Sequence, residues 1–231
     1  MTYLDLVNAV LVRLREKKIT TVDANPFTAV IGALVNDAKD SCEAAWNWSQ
    51  LRQPIPVLVG NGVDTFIVPD SFDNDYQILS MLNLQTGNYV RYTPQPYLRI
   101  RYRDSFTNPV ASGEPMWWTW GTDDAATGNK TVELFQPSNA AYNFILDRVA
   151  HQAYMSIATT RLLIPSQPVI QLATALASRE RGEIGGTPTS ELFAMADRYL
   201  SDAIAYDTAK WPEEMDWYDG QDYSQTNVRA Y

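Results

Sequence analysis

Residues 25–54 run NPFTAVIGALVNDAKDSCEAAWNWSQLRQP, a passage from strongly helical to strand-like sequence on which the fold turns. Asn25 is a helix-capping residue and Pro26 suits the first helical position, where no backbone N–H is needed. Phe27, Val30, Ile31, Leu34, Ala38, Cys42 and Ala45 then recur at helical spacing and draw one continuous apolar stripe. The stripe runs into Trp46-Asn47-Trp48 and stops before Pro54. A helix that is apolar on one side needs a partner. Beyond Pro54 the texture changes, and prolines, glycines and short β-rich runs replace the long stripe.

Before this helix, residues 2–18 predict another. Thr2 and Asp5 form a capping-box pattern, and Leu4, Val7, Leu11 and Leu14 recur at helical spacing. Its end carries Arg13, Arg15, Lys17 and Lys18, which suit the negative end of a helix dipole. Downstream, Ile55–Val59 and Thr65–Val68 around Asn61-Gly62 predict one hairpin, and Tyr76–Leu84 and Tyr89–Tyr92 around Thr86-Gly87-Asn88 predict a second. Met116–Trp120 and Thr131–Phe135 are strand-like, and Tyr142–Ile157 fits either strand or helix. Helices return at Ser166, with Gly182 as the stop. After Thr187-Pro188 comes a last helix, whose Leu192, Met195, Tyr199, Leu200, Ala203 and Ile204 predict a core stripe.

Helices, a β block and helices again make an α+β chain. The expected layout is a helical bundle built from the N- and C-terminal helices (1–53 and 158–206). An antiparallel β domain (54–157) is inserted into it, and a tail (207–231) extends from it.

Composition narrows the function. The chain has 231 residues, 45% of them hydrophobic and only 19% charged, against about 25% charged in average soluble domains. The deficit leaves room for surface covered by other subunits. Eighteen Lys+Arg against 27 Asp+Glu give a net charge of −9, which argues against a protein that grips duplex DNA through its phosphates. One cysteine, Cys42, falls on the helical stripe and is expected in the core, with no disulfide and no Cys-based zinc site. One histidine, His151, excludes a His-rich metal centre, and no nucleophile elbow accompanies it. Gly60-Asn61-Gly62 lacks the lysine and spacing of a phosphate loop. No catalytic residue and no cofactor is expected. The N-terminus has no signal-peptide pattern, and no apolar run reaches the roughly 18–20 residues of a membrane span.

Two segments point to partners. Leu98 to Arg103 alternates apolar residues with Arg99, Arg101 and Arg103, which predicts a half-buried strand with one basic face. With Tyr92, Tyr97 and Tyr102 interleaved, this face suits an acidic partner or neighbouring subunit, or alternatively single-stranded nucleic acid. The tail holds six acids from Asp207 to Asp222 against Lys210 and Arg229, with Trp211, Trp217, Tyr218, Tyr223 and Tyr231 among them. Five aromatics in a segment without period are interface anchors in waiting.

The order of these elements resembles a known family. A helix of the form Leu4-x-Leu6-Val7-Asn8-x-Val10-Leu11-x-Arg13-Leu14 precedes a second helix ending in a Trp-x-Trp turn. Gly113-Glu114-Pro115-Met116-Trp117-Trp118-Thr119-Trp120 comes next, then Val132-Glu133-Leu134-Phe135-Gln136-Pro137-Ser138-Asn139-Ala140-Ala141-Tyr142, then Leu163-Ile164-Pro165 before an Ala-rich helix. This resembles the head-to-tail adaptor proteins of tailed phages, the tail tubular protein A type of short-tailed phages. The resemblance implies a structural virion protein. It would form a ring with its own copies, commonly twelve, beneath the portal protein, extend the DNA channel and give the tail nozzle or tail tube protein a platform. Viral DNA would pass through the lumen without specific binding. The implied location is the head–tail junction of a virion assembled in host cytoplasm, with no membrane role. A neck or tail-completion protein of a long-tailed phage is the near alternative. A glycan-binding module using the Trp117–Trp120 cluster is the alternative from another class.

Overall fold

Thr2 opens the first helix as its sequence predicts. Its hydroxyl accepts the Asp5 N–H at 3.3 Å and its own N–H donates to the Asp5 carboxylate at 3.1 Å, so the first turn's free N–H groups are satisfied. The computed structural model describes residues 1–69, 76–102, 112–182 and 189–210. It divides the chain into two units, one of residues 1–50 with 154 onward and one of residues 51–153. The class is α+β.

In the first unit, α1 spans Tyr3–Arg13 and α2 Pro26–Ala44. α4 spans Ser166–Arg181 and α5 Thr189–Thr208; α3 (Gln95–Tyr102) belongs to the other unit. α2 lies against α4, α4 against α5, and α1 against both α2 and α4. α1 stops five residues short of the expected 18. Arg15 takes a left-handed φ of +60° and the Glu16 N–H turns back onto the Leu11 carbonyl at 2.8 Å, closing the helix end. α2 begins as expected, with the Asn25 side chain accepting the Thr28 N–H at 2.9 Å. Ile31, Leu34, Ala38 and Cys42 are buried, but Val30 faces out. The buried face is rotated to take in Val35, Asn36, Lys39 and Glu43 instead.

The return from the second unit is fastened by one side chain. Asn36 Nδ2 donates to the Met155 carbonyl at 3.1 Å while its Oδ1 accepts the Met155 N–H at 2.9 Å. The chain then runs past the start of α1, where Tyr3 N–H donates to Thr160 O at 2.8 Å and Leu162 N–H to Met1 O at 3.0 Å. α4 ends at Gly182, whose φ of +63° is the left-handed stop its sequence predicts.

The second unit holds two sheets. β1 (Arg52–Val59), β7 (Tyr142–Ala150) and β3 (Tyr76–Asn83) form one antiparallel sheet with β7 central. Of the segment left open between helix and strand, 142–157, residues Tyr142–Ala150 are thus the central strand and the rest is neither. β2 (Thr65–Ile67), β6 (Thr131–Phe135), β5 (Trp117–Trp120) and β4 (Arg91–Tyr92) form the other. β4 and β5 are its one parallel pair. Pro54 and Pro56 sit inside β1, which is tolerated because β1 is an edge strand. Val59, Met81, Trp118, Val132, Leu134, Phe144 and Leu146 are among the residues of the unit's core.

The first expected hairpin does not form. β1 pairs with β7 and β2 with β6, so the chain changes sheet at residues 60–64. Ser138, fully buried, holds that crossing by donating its hydroxyl to the Gly60 and Val63 carbonyls at 2.6 and 2.8 Å. The second expected hairpin forms only around its turn, with Val90 N–H on Met81 O at 2.8 Å, before β4 leaves to join β5. Glu114 ties this turn by accepting Asn83 Nδ2 and Asn88 Nδ2, each at 3.1 Å.

Candidate docking surfaces

The expected basic strand is a helix. Residues Gln95–Tyr102 form α3, entered through Thr93-Pro94-Gln95-Pro96, where the two prolines preset helical φ. The six residues of apolar–basic alternation were outweighed by this start and by Leu98, which is fully buried. The basic face was expected from a strand, where residues two apart share a side, and that premise does not hold for a helix. The Arg99 side chain is 61% exposed and pairs with Glu133 of β6 at 3.2 Å. Arg103 lies outside the described residues, as do Trp211, Trp217, Tyr218, Tyr223 and Tyr231.

The corner formed by β4, α3 and β5 exposes apolar area. Tyr92, Tyr97, Ile100 and Met116 are each more than half exposed. Tyr92 meets Trp118 edge-on at 5.0 Å between ring centroids, and Trp118 meets Trp120 at 5.5 Å. Trp118 is buried in the core and Trp120 packs against it, while Trp117 is half-buried beside Phe135 at 5.8 Å. The Trp117–Trp120 cluster therefore gives two of its three rings to the core, and no observation favours a sugar platform there.

The first unit presents its own surface on α5. Of its described side chains only Ala196 and Asp207 are buried. Leu192, Leu200, Ala203 and Ile204 are half-buried, and Met195, Tyr199 and Tyr206 are exposed by 44, 38 and 71%. Among the described residues the expected core stripe is thus only half covered, with α4 the helix that α5 packs against. Met195, Tyr199 and Tyr206 fall four and seven residues apart and share one side of the helix.

Asp207 is not a tail residue. It sits buried in the last turn of α5, where Oδ2 accepts the Ser49 N–H at 2.9 Å and Oδ1 the Ser49 hydroxyl at 2.6 Å. Burial pushes its pKa up, but the Ser49 hydrogen bonds and Lys210 at 3.3 Å outweigh it and hold the carboxyl below its ordinary value.

Two reactive groups of α2 are buried. Cys42 lies in the core, and burial, helped by the charge of Glu43, pushes its thiol up to about 12. Lys39 is fully buried, with Nζ 2.8 Å from Asp40 Oδ1 and 3.8 Å from Glu43 Oε2. The spacing of Asn36, Lys39 and Glu43 matched a solvated helix face, and nothing in the sequence marked them as internal. Among the described residues no three His, Cys, Asp or Glu side chains converge to hold a metal, and no helix is long and apolar enough to cross a membrane. No protein-family model matches the chain, and comparison with curated protein sequences finds no match.

Proposed function

We propose that the chain is a ring-forming structural protein, a head-to-tail adaptor of a tailed-phage virion that docks beneath the portal protein. The observation that carries the reading is α5, a helix of 20 residues whose apolar side is only half covered by the described residues of its own chain. A helix in that state is completed by a neighbour, and a closed ring completes every copy in the same way. The exposed β4–α3–β5 corner, on the other unit, serves the second contact such a protein needs, with the tail nozzle or tail tube protein. Of the three arginines predicted there, Arg99 presents an exposed side chain on α3, and Arg103 lies outside the described residues. DNA passes through the lumen without specific binding, which a net charge of −9 per copy favours.

Cryo-electron microscopy of a portal mixed with this protein tests the reading. The expected result is a ring of added density on one face of the portal, with α5 at the boundary between adjacent copies. A protein that stays monomeric beside every portal offered, or whose rings leave α5 facing solvent, overturns it.

A further inference from the structure

α1 and α4 end side by side in a cationic edge. Arg181, in the last turn of α4, donates Nη1 to the Leu14 carbonyl at 3.4 Å, pairs with Glu16 and lies 4.9 Å from the Phe27 ring centroid. Arg179 lies 5.7 Å from the Phe193 ring centroid. Arg13, Arg15, Lys17 and Lys18 continue along the same edge, all exposed. Six of the eighteen basic residues therefore stand at one end of this unit. The loop that carries three of them, Arg15, Lys17 and Lys18, is held in place. Asn8 accepts the Ile19 N–H at 2.8 Å and donates to its carbonyl at 3.1 Å, while Arg181 holds Leu14 and Glu16.

Helix dipoles account for Arg13, Arg179 and Arg181, which sit in last turns. They do not account for Lys17 and Lys18, which lie beyond the helix. Nor do they account for a side chain at Arg15, whose left-handed backbone favours glycine.

The complementary charge is elsewhere in the same chain. The described residues carry 17 Asp+Glu against 16 Lys+Arg and are almost neutral. Residues 211–231 carry five acids against Arg229, with Trp211, Trp217, Tyr218, Tyr223 and Tyr231 interspersed. Cations stacked on half-buried Phe27 and Phe193 suit acids mixed with aromatics better than they suit a phosphate backbone, which offers charge alone.

We propose that the cationic edge formed by Arg13–Lys18 and the end of α4 is the docking site for residues 211–231 of a second copy of this chain. Its own copy is poorly placed. Phe193 and Lys210 stand at opposite ends of α5, about 25 Å apart at 1.5 Å per residue. A returning strand would use about eight residues on that span, which takes in Trp211 to Tyr218 before the edge is reached. The neighbour receives this acidic, aromatic part directly. The contact deepens the ring reading by naming what joins adjacent copies, and it is read without portal, so ring formation on a portal is judged separately.

The test uses the full chain. Equal amounts of ¹⁴N- and ¹⁵N-labelled protein are mixed and treated with a zero-length carbodiimide cross-linker. The expected product joins Lys17 or Lys18 to Glu213 or Glu214, with about half of the joined peptides carrying mixed isotopes. Replacing Arg13→Glu and Arg15→Glu together should cut its yield at least tenfold with unchanged thermal unfolding. Raising salt from 30 to 300 mM should do the same to the unaltered protein if the variant fails to fold. Single-isotope products alone would mean docking in cis and overturn the proposal. Absence of the product, or a yield indifferent to both charge and salt, overturns it too. If instead a 20-base-pair duplex binds and is lost in the same variant while no tail product forms, the edge belongs to nucleic acid.

Discussion

Asp207, in the last turn of α5, holds Ser49, 158 residues earlier in the chain, through both its carboxylate oxygens. The pair joins the C-terminal helix to the segment just after α2, so the two ends of the helical unit close on each other. Replacing Asp207 by Ala leaves the Ser49 N–H and hydroxyl without their acceptor and should cost about 1–3 kcal/mol. Because the folded carboxyl has a lowered pKa, its contribution is fully present above the unfolded value of about 4 and is lost as pH falls through the folded one. Urea unfolding at pH 7 and pH 3 should show a gap between the native protein and Asp207→Ala at pH 7 that narrows at pH 3. A gap of equal size at both would refute the carboxylate's role.

Gly32 faces Tyr3 across the α1–α2 contact. A Cβ at residue 32 would collide with the Tyr3 hydroxyl and lie 2.9 Å from Val22 Cγ1. Tyr3 is buried, and its hydroxyl accepts Asn36 Nδ2 at 3.4 Å, so it has little room to retreat. Gly32→Ala should destabilise by about 1–3 kcal/mol despite the better helix propensity of alanine. Adding Tyr3→Phe removes the colliding oxygen and should recover part of the loss. A double-mutant cycle with no coupling between the two positions contradicts the assignment.

Cys42 gives a probe of whether the bundle opens. With its thiol buried and pushed up to about 12, almost no thiolate is present at pH 8 in the folded chain. A disulfide reagent at pH 8 should label it only at the rate of unfolding, and denaturant should accelerate labelling by several orders of magnitude. Rapid labelling of the native protein would place Cys42 outside the core.

What could be read from the sequence tracked the local signals. Asn25, Pro26, Thr2, Asp5 and Gly182 act through neighbours a few residues away, and the helix starts and the α4 stop they mark are where the structure has them. Strand partnership depends on contacts far along the chain, which is why Asn61-Gly62 suggested a hairpin where Ser138 instead guides a crossing between sheets. The basic face failed for a related reason. Alternation over Leu98–Arg103 is too short to outweigh Pro94 and Pro96. The rotation of α2 was hidden because Lys39 and Glu43 are buried together, and a polar side chain seen alone in a sequence is assigned to solvent. The exposed apolar β4–α3–β5 corner was not read from the sequence, which there suggested a basic strand face instead. The half-covered state of α5 was concealed because its stripe is as apolar as a core stripe.

That stripe separates folding from assembly. Leu34 of α2 is buried, and Leu34→Ala should cost about 2–4 kcal/mol in the free chain. Leu200 of α5 is only half-buried, so Leu200→Ala should cost less, about 1 kcal/mol. Met195 and Tyr199 are exposed on one side of the same helix, where truncation to a charged residue removes little that the single chain buries. Met195→Lys combined with Tyr199→Asp should therefore shift the thermal midpoint of the free protein by no more than a few degrees. In a ring completed through α5, each copy would instead bury two charges against an apolar neighbour, which is costly unless they are paired. Ring formation, read by sedimentation velocity in the presence of a portal, should fall at least tenfold for this variant. If the variant unfolds like Leu34→Ala, α5 is a core helix after all. If it assembles as well as the native protein, the neighbour contact lies on another face.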